Sequence, residues 1–291
     1  MKKIFILLPV HNRKDITRRF ITCLRQQTYQ DFQLILIDDG STDGTATMVQ
    51  QTFPSVVILQ GTGDWWWAGC LQQGFLWLKK QIFSKDDIVL LINDDSIFNS
   101  DYLQTGINLL EKSPHTLQIS TVYSQHSHTL LDGGVHADWM RGKFSITLDP
   151  NQVNCASTRG LFLFATDFIL LGGFYPHLIP HYASDYEFTV RAYRKGFRLQ
   201  AHDTLVLYLD ERSTGFQNLK QENSYRSFLK RLFSKKYMMQ PVYHSFFFIL
   251  ACPWPWKITN VVILWLSTVW KIVKYFFLLI IFKGIRKNSQ F

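Results

Sequence analysis

From Ile4 to Val10 the chain reads IFILLPV, seven residues without a charge, and similar uncharged runs recur at 33–37, 56–59, 88–92 and 205–209. None of them alternates apolar with polar. A strand exposed to water on one face would alternate, so the pattern predicts strands buried on both faces, as in a parallel sheet covered by helices on each side. The intervening segments follow helical spacing. Residues 15–27 place Ile16, Phe20, Ile21 and Leu24 on one side. Residues 42–51 follow Ser41 and Thr42, either of which suits an N-cap, and residues 66–83 form a longer apolar helix. Between 115 and 160 the periodicity weakens to short strands at 118–123 and 144–148, with another at 161–165. A further helix is expected over 184–195, closed by Gly196 as a C-cap.

The pattern changes again near residue 216. Residues 225–236 are basic and amphipathic, 242–256 are apolar and interrupted by Pro253 and Pro255, and 258–282 are apolar for longer than a bilayer requires. Lys271 and Lys274 fall inside this last segment, three apart and so on one helical face. Charges there are costly at a bilayer centre and comfortable in the interface. Trp254, Trp256, Trp265 and Trp270 recur beside lysines, as at a membrane boundary. The alternative for this tail is a buried core helix or the contact face of a homodimer. Two units are therefore expected, 1–215 and 216–291.

Charge sharpens that division. Twelve Lys/Arg against one acid follow residue 215, so the net +9 of the 291-residue chain belongs to the tail, and the first 215 residues carry a net −2. The cations flank apolar segments and are not interleaved with stacking or base-reading groups, so an anionic membrane surface is the expected partner and nucleic acid is not. At 47% hydrophobic residues the chain can bury a sizeable core. The N-terminal MKKIFILLPVHNRK has too short an apolar run for a secretion signal and reads as the first strand. Four cysteines with no CxxC pair argue against a zinc site or a disulfide framework and suit a reducing compartment.

Three of the uncharged runs end in polar groups. The first ends at Pro9-Val10-His11-Asn12, the second at Asp38-Asp39, and the fourth at Asn93-Asp94-Asp95. Ligands of open parallel sheets bind beyond the carboxyl ends of the strands. Four carboxylates gathered on one rim repel one another unless a cation or ligand donors sit among them, and oxygen-only ligands select Mg²⁺ or Mn²⁺. Such ions commonly bridge nucleotide phosphates. No GxxxxGK[ST] loop and no complete GxGxxG is present.

VHNRKD, LILIDDGSTDGT, LLINDDSIF and GGFYPHLIPHYASDYEFTVRAYRKGF, in that order, resemble the family 2 inverting glycosyltransferases. The resemblance covers roughly residues 3–215 and implies the GT-A fold, an α/β architecture with a mixed, mainly parallel sheet flanked by helices. Here the C-terminal membrane-associating helices would follow it. It also implies a nucleotide-diphosphate sugar as donor. By resemblance, Asp38 and Asp39 contact base and ribose, and Pro9, His11 and Asn12 pack against the base, with His11 where an aromatic is usual. Asn93 and Asp94 contact ribose or sugar, and Asp95 ligates Mn²⁺ or Mg²⁺. Asp185 is the general base; Ser184 precedes it where the family usually has Glu. The segment Trp65-Trp66-Trp67-Ala68-Gly69 resembles rhamnosyltransferase-like enzymes of surface polysaccharides and puts Trp67 and Gly69 in the donor site. Arg159, Gly160 and Asp210 lie where acceptor or diphosphate contacts are found in the family.

The implied mechanism is one in-line attack by an acceptor hydroxyl, deprotonated by Asp185, on the anomeric carbon. One displacement inverts the configuration, whereas a glycosidase uses two carboxylates flanking the bond. The acceptor implied is a cell-surface glycan or a lipid-linked precursor, at the cytoplasmic face of the plasma membrane, with the tail peripheral or single-span. Each motif also has a plainer reading. Asp38-Asp39-Gly40 makes an ordinary turn, Asn93–Ser96 caps a helix at 97–110, and Asp185 and Glu187 suit a helix N-terminus, with Glu187 pairing to Arg191 at i+4. Two other classes of function stay open: a nucleotidyltransferase on a similar sheet, and a non-catalytic membrane-bound nucleotide-sugar binder.

Overall fold

The computed structural model describes residues 2–210 and 224–288, with side chains described as far as 277. The boundary expected at 215/216, and the apolar side chains expected from 278 to 282, lie outside these.

The uncharged runs form the sheet. Strand β1 (Ile4–Val10) leads through α1 (Lys14–Arg25) to β2 (Phe32–Asp38), then α2 (Thr45–Thr52), β3 (Val57–Gln60), α3 (Trp66–Leu78) and β4 (Ile88–Leu91). A two-residue β5 (Ser96–Ile97), α4 (Tyr102–Lys112), β6 (Thr116–Ser124), β7 (Leu130–Asp132), β8 (Gly134–Asp138) and β9 (Lys143–Ile146) follow. Then come β10 (Cys155–Ala156), β11 (Leu161–Phe164), α5 (Ala165–Leu171), α6 (Ser184–Arg194) and β12 (Arg198–Leu209). The order in the main sheet is β3-β2-β1-β4-β11-β6-β12-β5, with β7 on β6; a small second sheet runs β10-β8-β9.

Polarity decides where the chemistry lies. β2, β1, β4, β6 and β12 all run the same way, and β11 and β5 run against them. The carboxyl ends of β1, β2, β4 and β12 and the start of β11 therefore open on one rim. His11-Asn12, Asp38-Asp39, Asn93–Asp95, Asp210 and Arg159-Gly160 all stand there. Two cores sandwich the sheet, one holding Leu7, Leu71, Phe168 and Phe188 and the other Leu8, Phe20, Leu90 and Leu103, all essentially buried.

Several boundaries differ from expectation. α3 stops at Leu78, and Phe83 returns to stack edge-on against Phe5. α2 begins after Gly44, and Asp43, not Ser41 or Thr42, accepts the Thr45 N–H at 3.0 Å. No helix starts at 97; the chain pairs as β5 and α4 waits until Tyr102. β12 starts seven residues before the uncharged run, because its first half alternates and breaks register between His202 and Val206. The Glu187–Arg191 pair forms at 2.8 Å, and Gly196 closes α6 with φ +90°.

Three further helices, α7 (Tyr225–Leu232), α8 (Pro241–Ala251) and α9 (Trp256–Asn288), follow. Phe247, Phe248 and Ala251 of α8 and Leu264 of α9 share a third core with Val135 and Ala137 of β8, Cys155 of β10 and Val190 of α6.

Candidate active site

At the end of β2 the chain turns sharply, and the two aspartates are held by backbone. Asp38 Oδ1 accepts the Ser41 N–H at 2.8 Å. The Asp39 carboxylate accepts three amides, from Gly63 at 2.8 Å, Trp65 at 2.9 Å and Trp66 at 3.0 Å. It thus caps the first turn of α3 in the manner of an N-cap supplied from another element. Gly61 has to be glycine: a Cβ there would lie 2.7 Å from the Trp65 ring and 2.8 Å from Asp39 Oδ1. On the neighbouring strand end, His11 Nδ1 sits 2.6 Å from the Asp39 carbonyl. Asn12, in left-handed backbone at φ +50°, accepts the Thr42 N–H at 2.8 Å through its side chain. Pro9 is buried within β1 opposite Ile37.

The cap directs α3 so that Trp67, half-buried, aims its indole across the site. Trp67 Nε1 donates to Asp185 Oδ1 at 2.5 Å and lies 3.3 Å from Thr158 Oγ1. Gly69, one turn beyond Trp65, is buried against Trp65 and Pro176. Asp185 is the second residue of α6, which Ser184 opens after Ala183, a non-glycine residue in left-handed backbone at φ +68°. Strain of this kind persists only where surrounding structure imposes it. Burial is the main force on the Asp185 carboxyl and raises its pKa to about 6, against the opposing hydrogen bonds from Thr158 and Trp67 and with a minor push from Asp132. The residue keeps partial solvent access.

Beyond β4, Asp94 and Asp95 are nearly inaccessible. Arg13 spans both, with Nε 3.3 Å from Asp94 and Nη2 3.2 Å from Asp95, and Arg159 Nη1 reaches Asp95 at 3.4 Å. Thr17 donates to Asp94 at 2.9 Å. Burial lifts the Asp94 pKa to about 6, opposed by Arg13 and assisted by Asp95. Asn93 is half-buried beside them. Asp210, at the end of β12, faces the same small cleft as Asp94 and Asp95 and pairs with His126 at 3.1 Å and Arg19 at 3.5 Å. Gly160 answers to packing: at φ +71°, a Cβ there would lie 2.5 Å from Ser120 Oγ and 2.6 Å from Tyr102 Oη.

One tripeptide draws these clusters together. Ser157 Oγ donates to Asp132 at 2.7 Å, Thr158 bonds Asp185, and Arg159 reaches Asp95. Asp95, Asp185 and, through the 65–67 turn, Asp39 therefore belong to one connected constellation. Arg13, Thr17, Asp132 and Ser157 were not singled out in the sequence; Arg13 alone carried a signal, because it follows a strand end on the same rim. Near the mouth, Asp64 accepts both Trp66 Nε1 and Lys235 Nζ at 2.8 Å, and that ammonium lies 5.6 Å from the Trp66 ring centre.

A sequence profile of glycosyl transferase family 2 matches residues 5–170, more than half of the chain. The chain belongs to glycosyl transferase family 2. An uncharacterized glycosyltransferase of Rickettsia prowazekii is 23% identical over 246 residues, covering 80% of this chain and 74% of that protein. An uncharacterized glycosyltransferase of Haemophilus influenzae is 26% identical over 110 residues; the match spans 38% of this chain and only 35% of the relative's length. The mixed sheet flanked by helices is like that of GT-A glycosyltransferases. The mannosyltransferase PcManGT of Pyrobaculum calidifontis, solved with GDP-mannose and Mn²⁺, superposes with a TM-score of 0.56 at 13% identity, covering 91% of this chain and 74% of that one. Residues 1–349 of S. aureus TarS give 0.54 at 16% identity, covering 72% and 60%.

The rim's fit to a divalent cation can be judged from its donors. Among the described residues no three His, Cys, Asp or Glu side chains converge as a ready-made metal cage. Mg²⁺-type ions need no such cage, since one or two carboxylates plus substrate phosphates suffice. Asp95, with Asp210 on the same cleft, fits that pattern. The guanidiniums at 3.2 and 3.4 Å from Asp95 hold it loosely compared with the 2.7–2.9 Å of tight charge-assisted bonds.

Proposed function

We propose that this family 2 glycosyltransferase moves one sugar, with inversion, from a nucleotide-diphosphate sugar to a hydroxyl of a lipid-linked or cell-surface glycan acceptor. The observation that carries this reading is the environment of Asp185. It is a carboxyl of raised pKa, aimed by Trp67 and Thr158 and tied through Arg159 to the acids at the end of β4. The donor's base and ribose lie against His11, Asn12 and the 38–39 turn, with Trp67, Gly69, Asn93 and Asp94 along the sugar side. Arg13 and Arg159 place two positive charges where the diphosphate departs, and such preorganised charge stabilises a leaving anion. A bound Mn²⁺ or Mg²⁺, held by Asp95, would add Lewis-acid neutralisation of that leaving group. Asp185 takes the proton from the acceptor hydroxyl as the glycosidic bond forms on the face opposite the departing diphosphate. Gly160 supports Arg159 from behind, and Asp210 steadies the rim through His126 and Arg19.

The acceptor class rests on the tail. We place the enzyme at the cytoplasmic face of the plasma membrane, with the 216–291 unit binding the bilayer. Lys235, between α7 and α8, touches Asp64 at the mouth of the site, so the basic helices adjoin the opening through which an acceptor arrives.

The test is a screen of nucleotide sugars scored for nucleoside diphosphate release, with Mn²⁺ and with chelator. The anomeric configuration of the product is read by NMR. The expected result is release with one donor, an inverted product, and a loss of about 10²-fold or more on metal removal. Retention of configuration would overturn the single-displacement reading. Undiminished turnover in chelator would assign charge neutralisation to Arg13 and Arg159 alone.

A further inference from the structure

α9 is built inside out. Its protein-facing stripe contains Asn260, Leu264 and Thr268, all buried. Asn260 Nδ2 donates to the Trp139 carbonyl at 2.8 Å, and Thr268 Oγ1 bonds back to the Leu264 carbonyl at 2.8 Å. Facing outward are Ile258, Val262, Leu266, Val269, Trp270 and Phe277, between 49% and 66% exposed. A surface helix in water shows the reverse. On a 3.6-residue wheel the outward arc of about 160° carries no charge from 258 to 277. Lys257 and Lys271 fall on the protein side, half-buried, and Lys274 stands on the flank. The pair that made a spanning helix costly in the sequence therefore does not lie on the outward face.

By length and composition α9 is the one described helix able to cross a bilayer. Its anchors oppose a crossing. At the start, Asn260 is bonded to Trp139 of the soluble fold. At the far end, the Tyr275 ring stacks on Phe228 of α7 at 4.1 Å, and α7 carries Arg226 and Lys230 exposed to solvent. A crossing between these points would draw one polar anchor or the other through hydrocarbon.

We propose that α9 lies in the plane of an anionic bilayer surface and does not span it, with its uncharged arc among the upper acyl chains and Lys271 and Lys274 reaching back to the headgroups. This inference rests on the membrane association proposed above and adds its geometry. The charge pattern favours lipid over a second copy of the chain. Residues 224–277 hold eight Lys/Arg and no acid. Two copies joined through this face would bring those cations together, while an anionic surface neutralises them.

The experiment uses the full chain on phosphatidylglycerol/phosphatidylethanolamine vesicles. Cys23, the one cysteine that is not buried, is replaced by Ser. Positions 258 to 277 are then changed to Cys one at a time, labelled with a fluorophore, and quenched from lipid-borne groups at two depths. An in-plane helix gives quenching that oscillates with the helical period, and outward positions such as 262, 269 and 273 share one depth of about 5–10 Å below the headgroups. A depth that instead descends steadily to about 15 Å near 267 and rises again is a crossing, and overturns the in-plane geometry while leaving membrane association standing. Absence of quenching everywhere, with the chain left behind on flotation, overturns both. Protection of the arc without lipid, in a dimer by sedimentation, assigns it to a second copy and overturns the proposal. The native Trp265 and Trp270, read with brominated lipid in the unlabelled chain, repeat the measurement should a cysteine variant fold poorly.

Discussion

Asp185 owes its raised pKa to its place in the first turn of α6. Its carboxyl is crowded by protein, and burial lifts its pKa to about 6 even though Thr158 and Trp67 favour the charged form. In the role proposed for it, as general base, the group acts only when deprotonated. Transfer should therefore be pH-independent well above 6 and fall about tenfold per unit well below it, as read from kcat/KM between pH 5 and 8. Trp67→Phe deletes a hydrogen bond to the carboxylate, so the pKa rises and the acid limb moves to higher pH. Asp94 titrates in the same window, so it is this displacement, and not the limb alone, that assigns the limb to Asp185. Asp185→Asn removes the base outright. Turnover should drop about 10²–10⁴-fold while calorimetric donor binding persists; a variant that keeps its turnover would remove Asp185 from the mechanism.

At the scale of elements, the site is held by backbone geometry more than by its acids. Asp39 spends its carboxylate on three amides of the α3 entry, and the 157–159 segment meets Asp132, Asp185 and Asp95 in successive residues. That segment is fixed by β11, which lies under α4 at Gly106. A Cβ at Gly106 would stand 2.4 Å from the Phe162 ring, and Phe162 is fully buried. Alanine is about 1 kcal/mol better than glycine in a helix, yet here overpacking wins. Gly106→Ala should destabilise the chain by about 1–3 kcal/mol in urea unfolding. Such restraints explain what the sequence disclosed. β1, β2 and β4 were legible because burial on both faces leaves an unbroken uncharged run, and the acids behind them were legible because strand polarity puts strand ends on one rim. The first half of β12 was hidden by its alternation. The antiparallel setting of β11 could not be read from its own four residues. The third core stayed out of sight because Phe247 meets Val135 more than a hundred positions away, and no local period records such a contact. The position of Arg13 behind β1 puts it on the rim, but its pairing becomes legible only with Asp94 and Asp95 beside it.

At the scale of the whole molecule, the basic helices sit beside the mouth of the site and not at the opposite rim. Attraction to the bilayer should then govern delivery of the acceptor without touching the chemistry. Arg226, Lys230 and Lys236 are exposed. Each cation near an anionic surface contributes about 1 kcal/mol. Replacing all three with Glu therefore removes about 3 kcal/mol of attraction and adds repulsion. Partition onto phosphatidylglycerol vesicles, measured by co-sedimentation, should weaken by more than about 10²-fold, and 1 M salt should weaken the unaltered chain in the same direction by shortening the Debye length to about 3 Å. The apolar arc of α9 is unchanged in this variant, and five of the eight cations of residues 224–277 remain against three new acids, so residual binding should depend on salt less steeply than that of the unaltered chain. Turnover with a short water-soluble acceptor should match that of the unaltered chain, while transfer to an acceptor embedded in the vesicle falls with the partition. Equal loss on both acceptors would mean that the basic helices shape the site itself and that the membrane contributes nothing to substrate capture.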